Sequence, residues 1–598
     1  MRERSSAART VAGTALTALR RNGLSLLLFE LAYKFLFSAV MDGAQDLLAL
    51  AMERCGLSYL TPATAVTLLR DPLSVALILL FICLLFYSVL VEITALILCC
   101  QRSLQGERVG PFALLRAALA RATRLLRPRN APLLFLLLVL VPVVAPTFTS
   151  TALHNFQIPS FILDFIRGRT ALYLLYLGLL ALLCWLLLRW LLVLPEMVLT
   201  GRSFREARIR SCALLAGRKG RVLGAGLLWG AAVLLLAGLC YLGSTLVLLG
   251  GVKLLHQGSL STFWYQFLRL DASLRTLFAI GGAACSSALV TALRTRLLGE
   301  VPAPPPPPRR RRLPRAAGAL ALGYLLLIFH VESTVNLWRD PLAPAPVQVV
   351  AHRAGALYAP ENTLAALDQA IESGANAAEI DVQQTADGAL IVLHDTNFKR
   401  VAGVDRNTWE VTLEEVRSYD AGSAFSEDFA GEGVPTLEEM LQRADGKIGL
   451  MIELKSTGHE RGLERAAVDL LRQYDAFKSC TIASMDYSIL ERVKAYDERV
   501  QTVYILPAAY GDLAEMTAAD AFSVEATFVT GMLSATLQYA QKPLYAWTVN
   551  DSGEIDRLLD LEISGVITDD PYLARYTIAA GGRSWWVSAL AERFLDGG

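Results

Sequence analysis

The sequence predicts an α-helical membrane domain followed by an α/β domain of the (β/α)8 TIM-barrel class. Three observations carry this. Between about residues 24 and 334, apolar runs recur that are long enough to cross a bilayer, which takes roughly 20 residues each. From Val347 onward, short β-rich apolar runs alternate with amphipathic helical stretches, the pattern of parallel strands joined by crossover helices. Histidines, acids and bases collect at the ends of those runs, where a barrel builds its site. The expected boundaries are a multi-span helical domain over 1–334, a linker over 335–346, a barrel over 347–578 and a helical tail over 579–598.

Composition supports the first half of this division. Hydrophobic residues make up 54% of 598, too many for an ordinary soluble protein. Seven spans are expected: Leu24–Val40, Leu73–Cys100, Ala131–Thr149, Ala171–Leu194, Val222–Gly250, Leu277–Leu298 and Ala316–Val331. A net charge of +1 hides a strong asymmetry between the connecting loops. Residues 1–23, 101–130 and 196–221 are rich in arginine, whereas 51–72, 150–168 and 251–274 are poor in Lys and Arg. Basic loops stay in the cytoplasm. With the amino terminus inside and an odd number of spans, a cell-membrane protein with an extracytoplasmic barrel is expected. The basic clusters border apolar spans, so no nucleic-acid partner is expected, and the sequence names no protein partner.

Other features of this half carry less chemistry. Cys83, Cys99, Cys100, Cys184, Cys240 and Cys285 lie in or beside apolar runs and read as small hydrophobes. Cys480 stands alone in the barrel, so no disulfide can form within it. The first apolar run lacks a small-residue cleavage site and reads as a retained anchor. Residues 303–315, APPPPPRRRRLPR, read as a cytoplasmic stop or an anionic-lipid contact. Pro111–Leu126 and Ser203–Leu215 fit basic amphipathic helices on the inner leaflet, or solvated loop helices. Glu30 and Lys34 are spaced to pair along one helix face.

In the second half, strands are expected at Val347–Ala351, Ala377–Val382, Ile448–Leu454, Cys480–Ser484, Thr502–Leu506, Ala521–Val524, Leu544–Val549 and Gly565–Thr568. A helix from about Thr363 to Glu372 follows the first, and Asn362 is expected to cap it. Glu379 and Asp381 stand two apart on one strand, so both carboxylates leave the same face. Two such charges need a cation, a shared proton or a basic neighbour. Asp387-Gly388 reads as a tight turn that sends Leu390 to Leu393 back along the first strand and delivers His394. The Trp585-Trp586 tail helix is expected to pack on the barrel, with insertion into the membrane surface as the alternative.

Eight short blocks stand in order over about 220 residues: HR at 352–353, EN at 361–362, EID at 379–381, HD at 394–395, FAGEGVPTLEEML at 429–441, IELK at 452–455, AWTVN at 546–550 and ITDDP at 567–571. Together they resemble the glycerophosphodiester phosphodiesterases, with Ala354 before Gly355 where that family has Gly directly after HR. The helical half weakly resembles the membrane domain that accompanies some members.

The resemblance implies hydrolysis of glycerophosphodiesters to glycerol phosphate and an alcohol. It implies His352 and His394 as general acid and base, without saying which is which, and Glu379, Asp381 and Glu453 as metal ligands. The residues agree: an oxygen-only set suits a hard divalent cation, Ca²⁺ or Mg²⁺, and histidine titrates near neutrality. Arg353 and Lys455 would meet the phosphate. Glu361 would orient Arg353 or reach the metal. Trp547 would wall the head-group pocket or serve as a core ring. Membrane-derived head-group diesters and a glycerol-phosphate polymer are the expected substrates, with the lipid bilayer as the other partner. Two alternatives stand beside this: a phosphoinositide-phospholipase-like lyase releasing a cyclic phosphate, and a non-catalytic phosphodiester-binding receptor.

Overall fold

The computed structural model describes residues 2–57, 59–60, 62–134, 136, 160–167, 169–255, 260–300, 302–303, 321–325, 327–328, 347–580 and 585–595. The helical half contains α1 (Arg2–Arg54), α2 (Pro72–Leu104), α3 (Pro111–Leu125), α4 (Thr170–Trp190), α5 (Val193–Thr200), α6 (Phe204–Leu215), α7 (Lys219–Leu255) and α8 (Leu260–Leu297), with a two-residue strand β1 (Tyr59–Leu60) between α1 and α2. Four helical stretches among the described residues are long and apolar enough to cross a membrane: Pro72–Leu104, Thr170–Thr200, Lys219–Leu255 and Thr262–Leu297. They contain four of the seven expected spans almost whole. A fifth, Leu24–Val40, lies within α1, which kinks at Asn22. The spans expected at 131–149 and 316–331, the 335–346 linker and most of 303–315 fall largely outside the described residues.

Three expectations for this half need correction or refinement. α7 and α8 run well into the region expected as a loop over 251–274, because its apolar residues, Phe263, Trp264 and Phe267, bury one another. Glu30 and Lys34 make no close ion pair among the described residues; the Lys34 charge acts at longer range on Glu30 and on Glu92, which is buried beside it. The two basic amphipathic segments do form helices, α3 and α6. Ser203 caps α6 through a reciprocal bond with Glu206.

The barrel strands are β2 (Gln348–Ala351), β3 (Ala377–Gln384), β5 (Gly449–Leu454), β6 (Cys480–Ser484), β7 (Gln501–Leu506), β9 (Ala521–Glu525), β10 (Leu544–Trp547) and β11 (Gly565–Thr568). Each runs parallel to its neighbours in the order β2-β11-β10-β9-β7-β6-β5-β3, and pairing of β2 with β3 closes the ring. All eight expected strands are therefore present within a few residues of their expected ends. The interior is filled by alternate side chains, among them Val350, Met451, Ala483, Val503 and Ile567, while the outward faces bury Ile380, Ile452, Ile482 and Val566 under the helices. Most crossovers carry a helix: α9 (Leu364–Ser373), α10 (Leu437–Ala444), α11 (Leu463–Gln473), α12 (Tyr487–Tyr496), α13 (Gly531–Tyr539) and α14 (Ser552–Asp560); α15 (Pro571–Ala580) follows the last strand. The exception is the link from β7 to β9, which holds a short strand β8 (Tyr510–Gly511) and a 3-10 turn.

β4 (Leu390–Val392) runs antiparallel to β3, not along the first barrel strand as expected. The tight turn explains this: Gly388, at φ 87°, folds the chain directly onto the strand it has just left. The tail helix α16 (Trp585–Leu595) also departs from expectation. Its Val587, Ala591 and Leu595 bury against Leu249, Val252, Phe263 and Phe267 of α7 and α8, and Lys253 Nζ donates to the Phe594 carbonyl at 2.7 Å. The tail thus clasps the membrane half instead of the barrel. A second tie is the antiparallel pairing of β1 with β8.

Candidate active site

The site occupies the carboxyl ends of β2, β3 and β5. Register sets Asp381 of β3 directly beside Glu453 of β5, with Glu379 one pleat below. All three are buried, and one ligand atom from each lies within 4.8 Å of the others. Charges this close need compensation. Lys455 Nζ supplies part of it, 2.8 Å from both Asp381 Oδ1 and Glu453 Oε1. Burial pushes the Asp381 carboxyl up, but Lys455, His394 and Arg353 outweigh it and hold the group well below the usual carboxylate range. Glu379 goes the other way. Burial, with Asp381 beside it, pushes its carboxyl up to about 8. Its Oε2 accepts the Arg353 backbone N–H at 2.8 Å, whereas Oε1 is buried with no partner among the described residues. An orphaned carboxylate oxygen within an acidic trio is what a hard divalent cation would satisfy, so these three residues fit such an ion.

His352 opens the turn after β2, and its Nδ1 is 2.7 Å from Asp569 Oδ1, at the end of β11. Asn550 steadies that acid, donating to Oδ2 at 2.5 Å and accepting the Asp569 N–H at 2.8 Å. Burial lowers the His352 pKa, but the Asp569 hydrogen bond and charge overcome it, so the imidazole is more basic than usual. Asp569 is correspondingly held down by His352 against the effect of burial. His394 has its own acid: Nδ1 lies 2.9 Å from Asp395 Oδ1. Arg400 Nε donates to Asp395 Oδ2 at 2.7 Å, and its other nitrogens reach Glu361 at 2.6 and 2.9 Å. Glu361 Oε1 also accepts Arg353 Nη1 at 3.0 Å. Of the two roles expected for Glu361, orienting Arg353 is the one seen.

The backbone at Arg353, Ala354 and Gly355 has φ of 48°, 63° and 105°. Such left-handed geometry favours glycine, which accounts for a glycine preference after the HR pair; the buried Ala354 fills the position here at some strain. Asn362 does not cap α9. Thr363 does, accepting the Ala366 N–H, and Asn362 (φ 60°) instead donates to Asp381 Oδ2 at 2.8 Å while accepting the Asp381 N–H at 3.1 Å. The left-handed turn aims its amide at the acid. Trp547 ends β10 half-buried over the barrel interior, its indole N–H donating to Ser523 O at 3.2 Å.

Every expected site residue thus lies at or beside one rim. Sequence reasoning missed Arg400, the supporting roles of Asp395 and Asp569, and Gln383. Gln383 is fully buried, with Nε2 within 3.1 Å of the Leu393, His394 and Asp395 carbonyls, so it fixes the strand end that carries His394. Asp395 and Asp569 fall in the quoted blocks. Arg400 and Gln383 carry no local signal, since their partners are met only in the fold.

Residues 352–573 match the glycerophosphoryl diester phosphodiesterase family, and residues 14–305 match the membrane domain of glycerophosphoryl diester phosphodiesterase. A putative glycerophosphodiester phosphodiesterase of Bacillus subtilis is 32% identical over 37% of this chain and 94% of its own length. A glycerophosphodiester phosphodiesterase of Caldanaerobacter subterraneus is 31% identical over 39% of this chain and 98% of its own. The solved structure of an Oleispira antarctica phosphodiesterase in complex with the product sn-glycerol-3-phosphate is 28% identical, with a TM-score of 0.37 over 39% of this chain and 96% of that one.

Proposed function

The chain belongs to the glycerophosphoryl diester phosphodiesterase family, and from that premise we propose how its barrel works and where it stands. It is a phosphoric diester hydrolase joined to a membrane domain. In our reading the barrel converts a glycerophosphodiester and water to glycerol phosphate and an alcohol. Attack on phosphorus needs a proton removed from the nucleophile and another delivered to the leaving oxygen. His352 and His394 supply these two groups, each held in one tautomer by its own aspartate, Asp569 and Asp395. Arg353 and Lys455 bring positive charge to the phosphate, Arg353 being braced by Glu361. Glu379, Asp381 and Glu453 would hold a divalent cation, Ca²⁺ or Mg²⁺, which when bound polarises a phosphoryl oxygen and offsets charge in the transition state. Trp547 borders the pocket for the head group.

The observation that carries the reading is the pair of Asp-oriented imidazoles beside a buried acidic trio with an unsatisfied oxygen. The fields of His352 and His394 act on Glu379 and Asp381 respectively. Turnover of glycerophosphocholine by the full chain should cease with chelator and return with Ca²⁺ or Mg²⁺, and His394→Ala should lower kcat by about 10²-fold or more. Hydrolysis that survives both would refute it, and a cyclic phosphate as sole end product would favour the lyase.

The ties between the halves bear on location. β1, between α1 and α2, and the α7–α8 end both contact barrel elements or the tail. Those loops are the ones poor in Lys and Arg, whereas 101–130 and 196–221 lie at the other ends of the spans. Basic loops mark the cytoplasmic face, which supports an extracytoplasmic barrel acting on membrane-derived head-group diesters or an envelope glycerol-phosphate polymer.

A further inference from the structure

At the end of the membrane half away from the barrel, α3 stops at Leu125 and the chain turns through Arg127 into a single 3-10 turn, Pro128–Asn130. Asn130 is buried and fixes this turn: its Nδ2 donates to Leu125 O at 3.0 Å and its Oδ1 accepts the Phe204 N–H at 3.0 Å, stapling it to the start of α6. Gly201, at φ 75°, closes α5 and places no side chain in the gap; a Cβ there would lie 3.5 Å from Arg121 Nη1. What remains is a recess of about 270 Å³, lined chiefly by Arg121, Arg124, Arg127 and Arg129 over a floor of Asn130 and Gly201.

The charge in this recess is only partly balanced. Among the described residues none of the four guanidiniums has a hydrogen-bond or ion-pair partner. The carboxylates of the adjoining helices are engaged elsewhere: Glu196 is buried between Arg202 at 2.6 Å and Arg294 at 2.7 Å. Glu206, within the field of Arg129, accepts from Ser203 N and Oγ at 2.8 Å each. Four cations around one concavity repel, and a multivalent anion relieves that repulsion. Guanidinium forks match the oxygens of a phosphate group bidentately.

We propose that this recess binds a phosphate-type oxyanion on the side of the membrane opposite the barrel. The same chemistry could arrive as a phospholipid headgroup or as free phosphate. The setting favours the headgroup: α3 follows directly on the end of a membrane-length helix, and Phe112, Leu119 and Leu126, spaced seven apart on one face, are all exposed. Basic recesses among membrane helices hold lipid headgroups in this way.

The test uses the full chain in nanodiscs of phosphatidylcholine with a minor fraction of phosphatidylglycerol, reading co-retained lipid by native mass spectrometry. The wild type should retain phosphatidylglycerol about tenfold more than R121Q/R124Q/R127Q/R129Q. An equal charge change outside the recess, R108Q/R116Q/R208Q/R210Q, should leave retention unchanged. Both variants should hydrolyse a soluble glycerophosphodiester like the wild type, which checks folding. Should the quadruple variant fold poorly, the exposed single change Arg124→Glu serves in its place. If lipid retention is equal in all, inorganic phosphate should raise the thermal midpoint of the wild type alone, which would make soluble phosphate the occupant. Neither effect, or the same effect in recess and control variants, overturns the proposal.

Discussion

Asp569 Oδ1 sits 2.7 Å from His352 Nδ1, which fixes the proton on that nitrogen and leaves Nε2 as the working atom. Asp569→Asn keeps the volume but removes the charge that raises the imidazole pKa. It should lower kcat about 10²–10⁴-fold and move the limb of the pH profile governed by His352 to lower pH, whether that histidine is acid or base. A limb that stays put would detach Asp569 from His352. Glu379 gives a second pH signature. Without metal it keeps its proton up to about pH 8, whereas the unfolded chain loses it near the ordinary carboxyl value. The folded state then binds more protons across that window, so metal-free stability should fall as pH rises from about 5 to 8. Cation binding at pH 7 should release about one proton, measurable by calorimetry in buffers of different ionisation enthalpy; no release would mean that Glu379 is already ionised. The groups that carry these effects were legible because His352 and His394 directly follow apolar runs while Glu379 and Asp381 interrupt one at alternate positions. Asn362 was misassigned because an Asn before a helix is an equally good cap on paper, and only its left-handed φ turns the amide toward Asp381.

Elements succeed or fail as signals according to how local their cause is. The eight barrel strands were legible since each is a short, near-continuous apolar run, which reports burial on both faces. The β1–β8 pairing and the docking of α16 were not. Two residues of strand make no periodic pattern, and an amphipathic tail helix shows that it has a buried face without showing against what. β5 offers a test of how tightly the sheet is built. At its first residue, Gly449, an added Cβ would come 2.8 Å from Ser479 O and 3.4 Å from Asn376 O, both backbone atoms that cannot swing aside. Gly449→Ala should destabilise the barrel by about 1–3 kcal/mol. Gly446, two residues past the end of α10 and three before β5, has φ 65° but open space, so Gly446→Asn, which tolerates that φ, should cost far less. Equal losses in chemical denaturation would mean that backbone freedom, not the crowding around β5, sets the requirement for glycine.

For the molecule as a whole, the sequence asymmetry in arginine and the contacts between halves bear on one question from independent directions. α2 is 33 residues long, about 50 Å at 1.5 Å per residue, against a hydrocarbon core of about 30 Å. Its two ends must therefore lie on opposite faces if it spans. The amino end follows β1, which pairs with β8 at the barrel, and the carboxyl end leads into α3 with its arginines. Charge alone would orient the chain but could not attach the barrel to either face, because the 335–346 linker gives no direction. The contacts alone would attach the barrel to a face without saying which face is the cytoplasm. Taken together they make a membrane-impermeant maleimide the natural probe. In intact cells, Ser423→Cys on an exposed barrel loop should gain label over the parent without permeabilisation, while Arg205→Cys on α6 should gain it only afterwards. The reverse pattern would put the barrel inside the cell, and the glycerophosphodiesters within reach of His352 and His394 would then be cytoplasmic ones.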